Sequence, residues 1–299
     1  MKQLSLSQEY AIIAMDGLES VHSSVAKSAV LRSIVVAKKL EEMIDIPEEQ
    51  AEKFTSQLMD VIKTAKKVSK KAEKQIEDEI IVFLEKNEMI SEVPDLLGCD
   101  INYYTSGIQL KAYRSQENIY YRIREGLRAE ILDDGSISIE CAALLWLLRE
   151  SGCIYDCFSV SEQNILQSRM TELSAENDIY RILWQTEFHS KFESVFNRFS
   201  KAKQNLFSNP YLEGVNLVFP FLQRRNAIFI DVVILGTNVK ERREETIRFL
   251  RERGHKVEET KLGNETVLKI DNAYYRIFPL AKRVHTLPVQ GINLVPVYW

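Results

Sequence analysis

Six lysines, Lys63, Lys66, Lys67, Lys70, Lys71 and Lys74, recur at i, i+3, i+4, i+7, i+8 and i+11. On one continuous helix that spacing places all six on one side. Val61, Ala65, Val68, Ala72 and Ile76 then fall opposite. The chemistry open to such a cationic stripe is attraction to polyanions. Beside an anionic membrane each lysine adds ~1 kcal/mol. The same pattern is also that of a solvated face next to acidic neighbours, here Glu48, Glu49 and Glu52. The stripe lacks the Trp, Phe and Leu of an inserting face, so it predicts touching a membrane rather than anchoring in one.

Other chemistry is sparse. The four histidines are His22, His189, His255 and His285, and none stands in an HExxH pattern. No GxSxG nucleophile elbow occurs. Asp133 and Asp134 form a carboxylate pair, but the following glycine makes Asp-Asp-Gly a turn, where Asp is favoured for its backbone bonds. The four cysteines, Cys99, Cys141, Cys153 and Cys157, match neither redox nor metal spacing. Cys141 opens an apolar run and should pack as a small hydrophobe. Leu235-Gly-Thr-Asn-Val, between a strand and a helix, is the nearest approach to a phosphate loop. With one glycine and no lysine at the required spacing, Thr237 or Asn238 is better explained as a helix cap. Arg224-Arg225 and Arg242-Arg243 could form a basic patch, the second pair lying among Glu241, Glu244 and Glu245. Nothing in these patterns calls for a cofactor or a metal.

The elements that must position these residues divide by charge. The chain has 299 residues, 45% of them apolar, enough for roughly two domains with their own cores. Residues 201–299 hold 16 Lys/Arg against 10 Asp/Glu, a net +6, whereas the first 200 hold 23 against 33, a net −10. Two units of different surface, attracting each other, would produce that asymmetry. Neither is basic enough, nor patterned, for nucleic acid. No apolar run approaches the ~20 residues of a membrane span. The opening residues show no charged region leading into an apolar stretch, so a cytoplasmic protein is expected, at most peripheral to a membrane.

The fold expected is a mostly α N-terminal domain, residues 1–205, followed by a smaller α+β domain, residues 210–299, with Asn209-Pro210 at the boundary. Helices are predicted from Ser7 to Gly17, from Ser23 to Met43, from Pro47, and over 50–86 as the longest pattern. Pro94, Gly98, Asn102, Ser106 and Gly107 punctuate a loop-rich region in which Tyr103-Tyr-Thr, Gly107-Ile-Gln-Leu-Lys-Ala-Tyr and Asn118-Ile-Tyr-Tyr form a short extended or hairpin candidate. Helix resumes over Tyr121–Leu132. Ser138 caps a helix whose Cys141–Leu148 stretch is apolar all round and must be buried. Gly152 stops it. Further helices run from Ser161 through Leu173 and from Asn177 to about Lys203. Beyond the boundary the pattern predicts strands at Ala227–Leu235, His255–Leu262, Thr266–Ile270, Ala273–Phe278 and after Gly291. One helix, Val239–Arg253, and a Gly263-Asn264 hairpin turn complete it.

Two stretches resemble the Golgi phosphoprotein 3-like family. The first is Leu4-Ser-Leu-Ser-Gln-Glu-Tyr-Ala-Ile-Ile-Ala-Met with Ala29-Val-Leu-Arg-Ser-Ile-Val-Val-Ala. The second is Leu127-Arg-Ala-Glu-Ile-Leu-Asp-Asp-Gly, then Ala142-Ala-Leu-Leu-Trp-Leu-Leu-Arg-Glu-Ser-Gly and Arg169-Met-Thr-Glu-Leu. The likeness covers about residues 1–190 and extends to bacterial members. It implies a helical domain that docks on membranes, as an adaptor binding the phosphatidylinositol 4-phosphate headgroup. Arg32 matches the family's early arginine. Ser23 stands where the family has Trp, and Lys74 and Glu77 fall at its two later arginines. The resemblance therefore names Arg32 and Lys74 as headgroup candidates. The function expected is a non-enzymatic peripheral adaptor with affinity for anionic phospholipid. The alternatives are a cytoplasmic scaffold binding a protein through its C-terminal domain, and, more weakly, an enzyme with an anion site near Thr237.

Overall fold

The computed structural model describes residues 4–18, 25–104, 110–133, 137–188, 227–231, 238–284 and 287–297. His22, Ser23, Ser106, Gly107, Asp134, His189 through the Asn209-Pro210 boundary, Arg224, Arg225, Thr237 and His285 lie outside these residues. The chain is helical through most of its described N-terminal part, with antiparallel sheets that lie mostly in the C-terminal part.

Helix α7, Ile139–Ser151, is the centre of the larger core. Its N-cap Ser138 accepts a hydrogen bond from the Cys141 amide at 3.1 Å, and Gly152 closes it in the left-handed region at φ 76°. Every residue from Cys141 to Leu148 is buried, and Trp146 has no exposed surface. Helices α1 (Leu6–Met15), α2 (Val25–Leu40), α6 (Glu117–Leu132) and α9 (Asp178–Gln185) pack around it. The Trp146 indole donates to the Thr186 carbonyl at 2.8 Å, so the one polar atom of the buried ring is satisfied.

Several elements differ from expectation, each for a local reason. Helix α1 is capped by Ser5 rather than Ser7, and the Ser5 amide donates to Gln8 Oε1 at 3.2 Å. The Pro47 start is a 3₁₀ turn, Glu48–Gln50, that leads into α3, Ala51–Lys66. The single helix expected over 50–86 is two helices, α3 and α4 (Lys70–Lys86). Ser69 leaves helical geometry at ψ 159° and accepts from the Ala72 amide at 3.2 Å, so it starts a new helix. An unbroken helix over the 37 residues 50–86 would be ~56 Å long. The break lets Phe54, Leu58, Ile62 and Ala65 of α3, and Ile80, Ile81 and Leu84 of α4, enter one core.

The hairpin expected between Tyr103 and Tyr121 is also corrected. Tyr103 lies in a short helix, α5 (Ile101–Tyr104), and Asn118–Tyr121 lie in α6. The strand β2, Lys111–Ser115, overlaps the extended candidate that ends at Tyr113, and its antiparallel partner is β1, Ile90–Pro94, in a stretch read as loop. Helix α8, Val160–Glu176, begins behind the cap of Ser159, not at Ser161. The helix expected from Asn177 ends at Gln185, where Thr186 turns extended.

The larger sheet has five strands in the order β3-β7-β6-β5-β4, all antiparallel. They are β3 (Ile228–Ile230), β4 (Val257–Leu262), β5 (Glu265–Ile270), β6 (Ala273–Val284) and β7 (Leu287–Val297). Gly263-Asn264 forms the β4–β5 turn, with Gly263 at φ 58° and Leu262 facing Glu265. Helix α10, Val239–Glu252, covers the sheet with Leu250, its Asn238 cap completed by Glu241. Leu96, Leu97 and Cys99, from the turn after β1, join this second core.

Candidate functional site

Helix α2 lies against α4 along a seam of charge. Ser28 and Arg32 on α2 face Glu73, while Lys27 faces Glu77. Both carboxylates occupy the inward face of α4, in helical phase with Ile80 and Leu84, and are 3% and 7% exposed. Glu73 Oε1 accepts from Ser28 Oγ at 2.5 Å and from Arg32 Nε at 2.9 Å, and Oε2 receives Lys70 Nζ at 2.9 Å. Burial pushes the Glu73 carboxyl up. Ser28, Lys70 and Arg32 outweigh it and hold the group below its ordinary value. Glu77 Oε1 takes Lys27 Nζ at 2.7 Å and the Tyr113 hydroxyl at 2.9 Å. Arg32, a headgroup candidate from the sequence, donates Nε to Glu73 at 2.9 Å and Nη2 to the Val68 carbonyl at 3.5 Å.

The lysines surround the elbow between α3 and α4. Lys63 and Lys66 lie on the last turn of α3, Lys67 is its cap, and Lys70, Lys71 and Lys74 belong to the first turns of α4. All six are exposed, but they do not form the single-helix stripe that their spacing suggested. Lys63 pairs with Asp60 at 3.4 Å and Lys70 with Glu73. Among the described residues, Lys66, Lys67, Lys71 and Lys74 have no carboxylate in ion-pair range. The elbow thus concentrates four uncompensated ammonium groups where two helix ends meet.

A second polar cluster joins the sheet to the helices. Asp16, at the end of α1, accepts from the Ser115 amide and from Asn272 Nδ2, both at 2.8 Å. Asn272 also donates to the Ser115 carbonyl at 2.9 Å. Its neighbour Asp271 meets Arg114 Nη2 at 2.6 Å and His255 Nδ1 at 2.9 Å. A His–Asp pair is the kernel of general-base catalysis. Here the His255 side chain has no exposure, and its buried Nε2 has no hydrogen-bond partner. The pair joins the start of β4 to the β5–β6 turn. Glu117 at the start of α6 accepts from Lys256 and Lys269, carrying the opposite charges of the two halves across the junction.

The four cysteines are free and buried. Burial pushes the Cys99 thiol up to about 12 and Cys141 upward too, which suppresses the thiolate that nucleophilic or metal chemistry needs. Among the described residues no group of three or more His, Cys, Asp or Glu could hold a metal ion, and no helix is long and apolar enough to cross a membrane. Asn238 accepts from the Lys240 and Glu241 amides as a cap. Arg243 of the second arginine pair reaches Glu259 at 3.6 Å.

Sequence reasoning missed Glu73, Asp16 and Asn272, and named Glu77 only as standing where the resembled family has arginine. The two glutamates had a signal, being acidic residues in phase with Ile80 and Leu84. Asp16 and Asn272 had none, since their partners are remote in sequence. No family model, curated protein or solved structure matches this chain.

Proposed function

We propose that this protein is a non-enzymatic, peripheral adaptor whose α3–α4 elbow rests on an anionic phospholipid surface. The observation that carries the reading is the group of four exposed lysines, Lys66, Lys67, Lys71 and Lys74, which have no carboxylate in ion-pair range among the described residues. No ion pair among the described residues holds these ammonium groups, so an external anionic plane attracts them. The helical domain, residues 1–205, carries the contact, and the α+β domain, residues 210–299, faces a protein partner. The likeness of residues 1–190 to Golgi phosphoprotein 3-like proteins supports the same reading.

Vesicle sedimentation of the full chain tests it. Binding to anionic but not neutral vesicles is expected at low salt, and its loss at high salt, because mobile ions screen exposed charges. Equal recovery in the supernatant with both lipids would remove the reading.

A scaffold without lipid activity is the second reading. Phe278 and Leu280, two apart on β6, are 39% and 43% exposed and offer an apolar contact. Ser substitutions at both positions that keep the melting temperature but abolish co-purified partners would favour it. Unchanged co-purification would count against it.

A further inference from the structure

The cations near the elbow fall into two classes. Arg32 and Lys70 converge on Glu73, and Lys27 on Glu77. Both carboxylates are buried. Arg32 gives Nε to Glu73 and, at 3.5 Å, Nη2 to the Val68 carbonyl, so a phosphate monoester at this arginine would lie against a carboxylate that is 3% exposed. Two anions held that close repel, the more strongly where water is scarce. The seam where a stereospecific headgroup site would need surplus donors is thus closed by the protein's own anions.

The remaining class is different in kind. Lys66, Lys67, Lys71 and Lys74 are exposed, end flexible four-carbon stems and carry point charges rather than the planar fork that matches phosphate bidentately. They are spread over the end of one helix, a turn and the start of another. Such a set sums potential over an area and does not grip one group.

We infer that the elbow reads the charge density of a bilayer and is indifferent to which anionic headgroup supplies it. This rests on the reading of the elbow as a membrane contact and names its ligand as a lamellar anionic phospholipid surface. A nucleic acid is disfavoured. The first 200 residues carry a net −10, and no Phe, Tyr or Trp lies between positions 55 and 82 to stack a base.

The experiment uses the full chain and phosphatidylcholine vesicles doped with phosphatidylserine, phosphatidylglycerol or phosphatidylinositol 4-phosphate, each adjusted to the same zeta potential. The three partition coefficients are expected to agree within about twofold, since only potential matters. K66Q/K67Q/K71Q/K74Q, with an unchanged melting temperature, should bind several-hundredfold more weakly, at about fivefold per lysine. A tenfold preference for the phosphate monoester at matched potential would overturn the inference and leave the membrane reading standing. Failure to bind any anionic vesicle at low salt would overturn the membrane reading itself. Tighter binding to a single-stranded oligonucleotide than to every vesicle would overturn both.

Discussion

Asn272 Nδ2 lies 2.8 Å from Asp16 Oδ1, a buried hydrogen bond between the β5–β6 turn and the end of the first helix. The turn is made to fit that place. Asp271, which precedes Asn272, sits at φ 56°, a conformation costly for any residue with a Cβ. Its carboxylate recovers the cost through Arg114, His255 and the Lys256 amide. Sheet and helices thus meet through paired polar groups, with His255 Nε2 and Arg114 Nε buried and without a hydrogen-bond partner among the described residues.

Asn272→Ala leaves Asp16 with a lost donor in a buried site. Destabilisation of about 1–3 kcal/mol is expected, read from the urea midpoint. Asn272→Asp should cost more, because it sets a second carboxylate against Asp16. Equal stability of both variants and the parent would show that the bond contributes nothing.

Acid should destabilise the fold through Glu117 and Glu73. Hydrogen bonds from Lys256 and then Lys269 hold Glu117 below the ordinary carboxylate range. Glu73 is also low, its donors outweighing burial. A carboxyl whose folded value is depressed stabilises the protein fully above its unfolded value, about 4.3, and loses that contribution as pH falls through the folded one. Glu9 acts with opposite sign, since burial raises it. In a Glu9→Gln background, urea midpoints should fall below about pH 4.5, and Glu73→Gln or Glu117→Gln should flatten that limb. A midpoint that rises on acidification would contradict the assignment.

Two glycines should respond oppositely to alanine. At Gly291 a Cβ would stand 2.2 Å from the Ile230 carbonyl oxygen and 2.7 Å from the Phe229 ring. Strands β3 and β7 would have to part, costing about 1–3 kcal/mol. Gly126 is exposed within α6 with open space around it. Gly126→Ala should raise stability by about 0.5–1 kcal/mol. Thermal melts of the two variants decide both signs.

The four thiols should be silent in the native protein. At neutral pH an aromatic disulfide reagent should label Cys99, Cys141, Cys153 and Cys157 slowly and only through unfolding, and all four at once in denaturant. Rapid labelling of any one of them without denaturant would contradict its burial.

The sequence announced elements whose cause is local. The Cys141–Leu148 run with Ser138 before it and Gly152 after it is apolar on every face, so no arrangement but a buried, capped helix suits it. Gly263-Asn264 between two β-patterned runs is equally self-contained. The elbow was half legible. The lysines were visible in the spacing, but the apolar period runs through Val68 and hid the break at Ser69. Strand β1 went unseen because Ile90–Pro94 has a single buried residue and takes its identity from pairing with β2.

What the chain determined alone is thus its helices, its C-terminal hairpin and the presence of many lysines in one segment. Which lysines remain uncompensated was decided by tertiary structure, as were the commitment of Arg32 to Glu73 and the meeting of Asp16 with Asn272. The physical reason is reach. Periodicity and capping act over a few residues, whereas charge neutralisation depends on which distant side chains share one desolvated space.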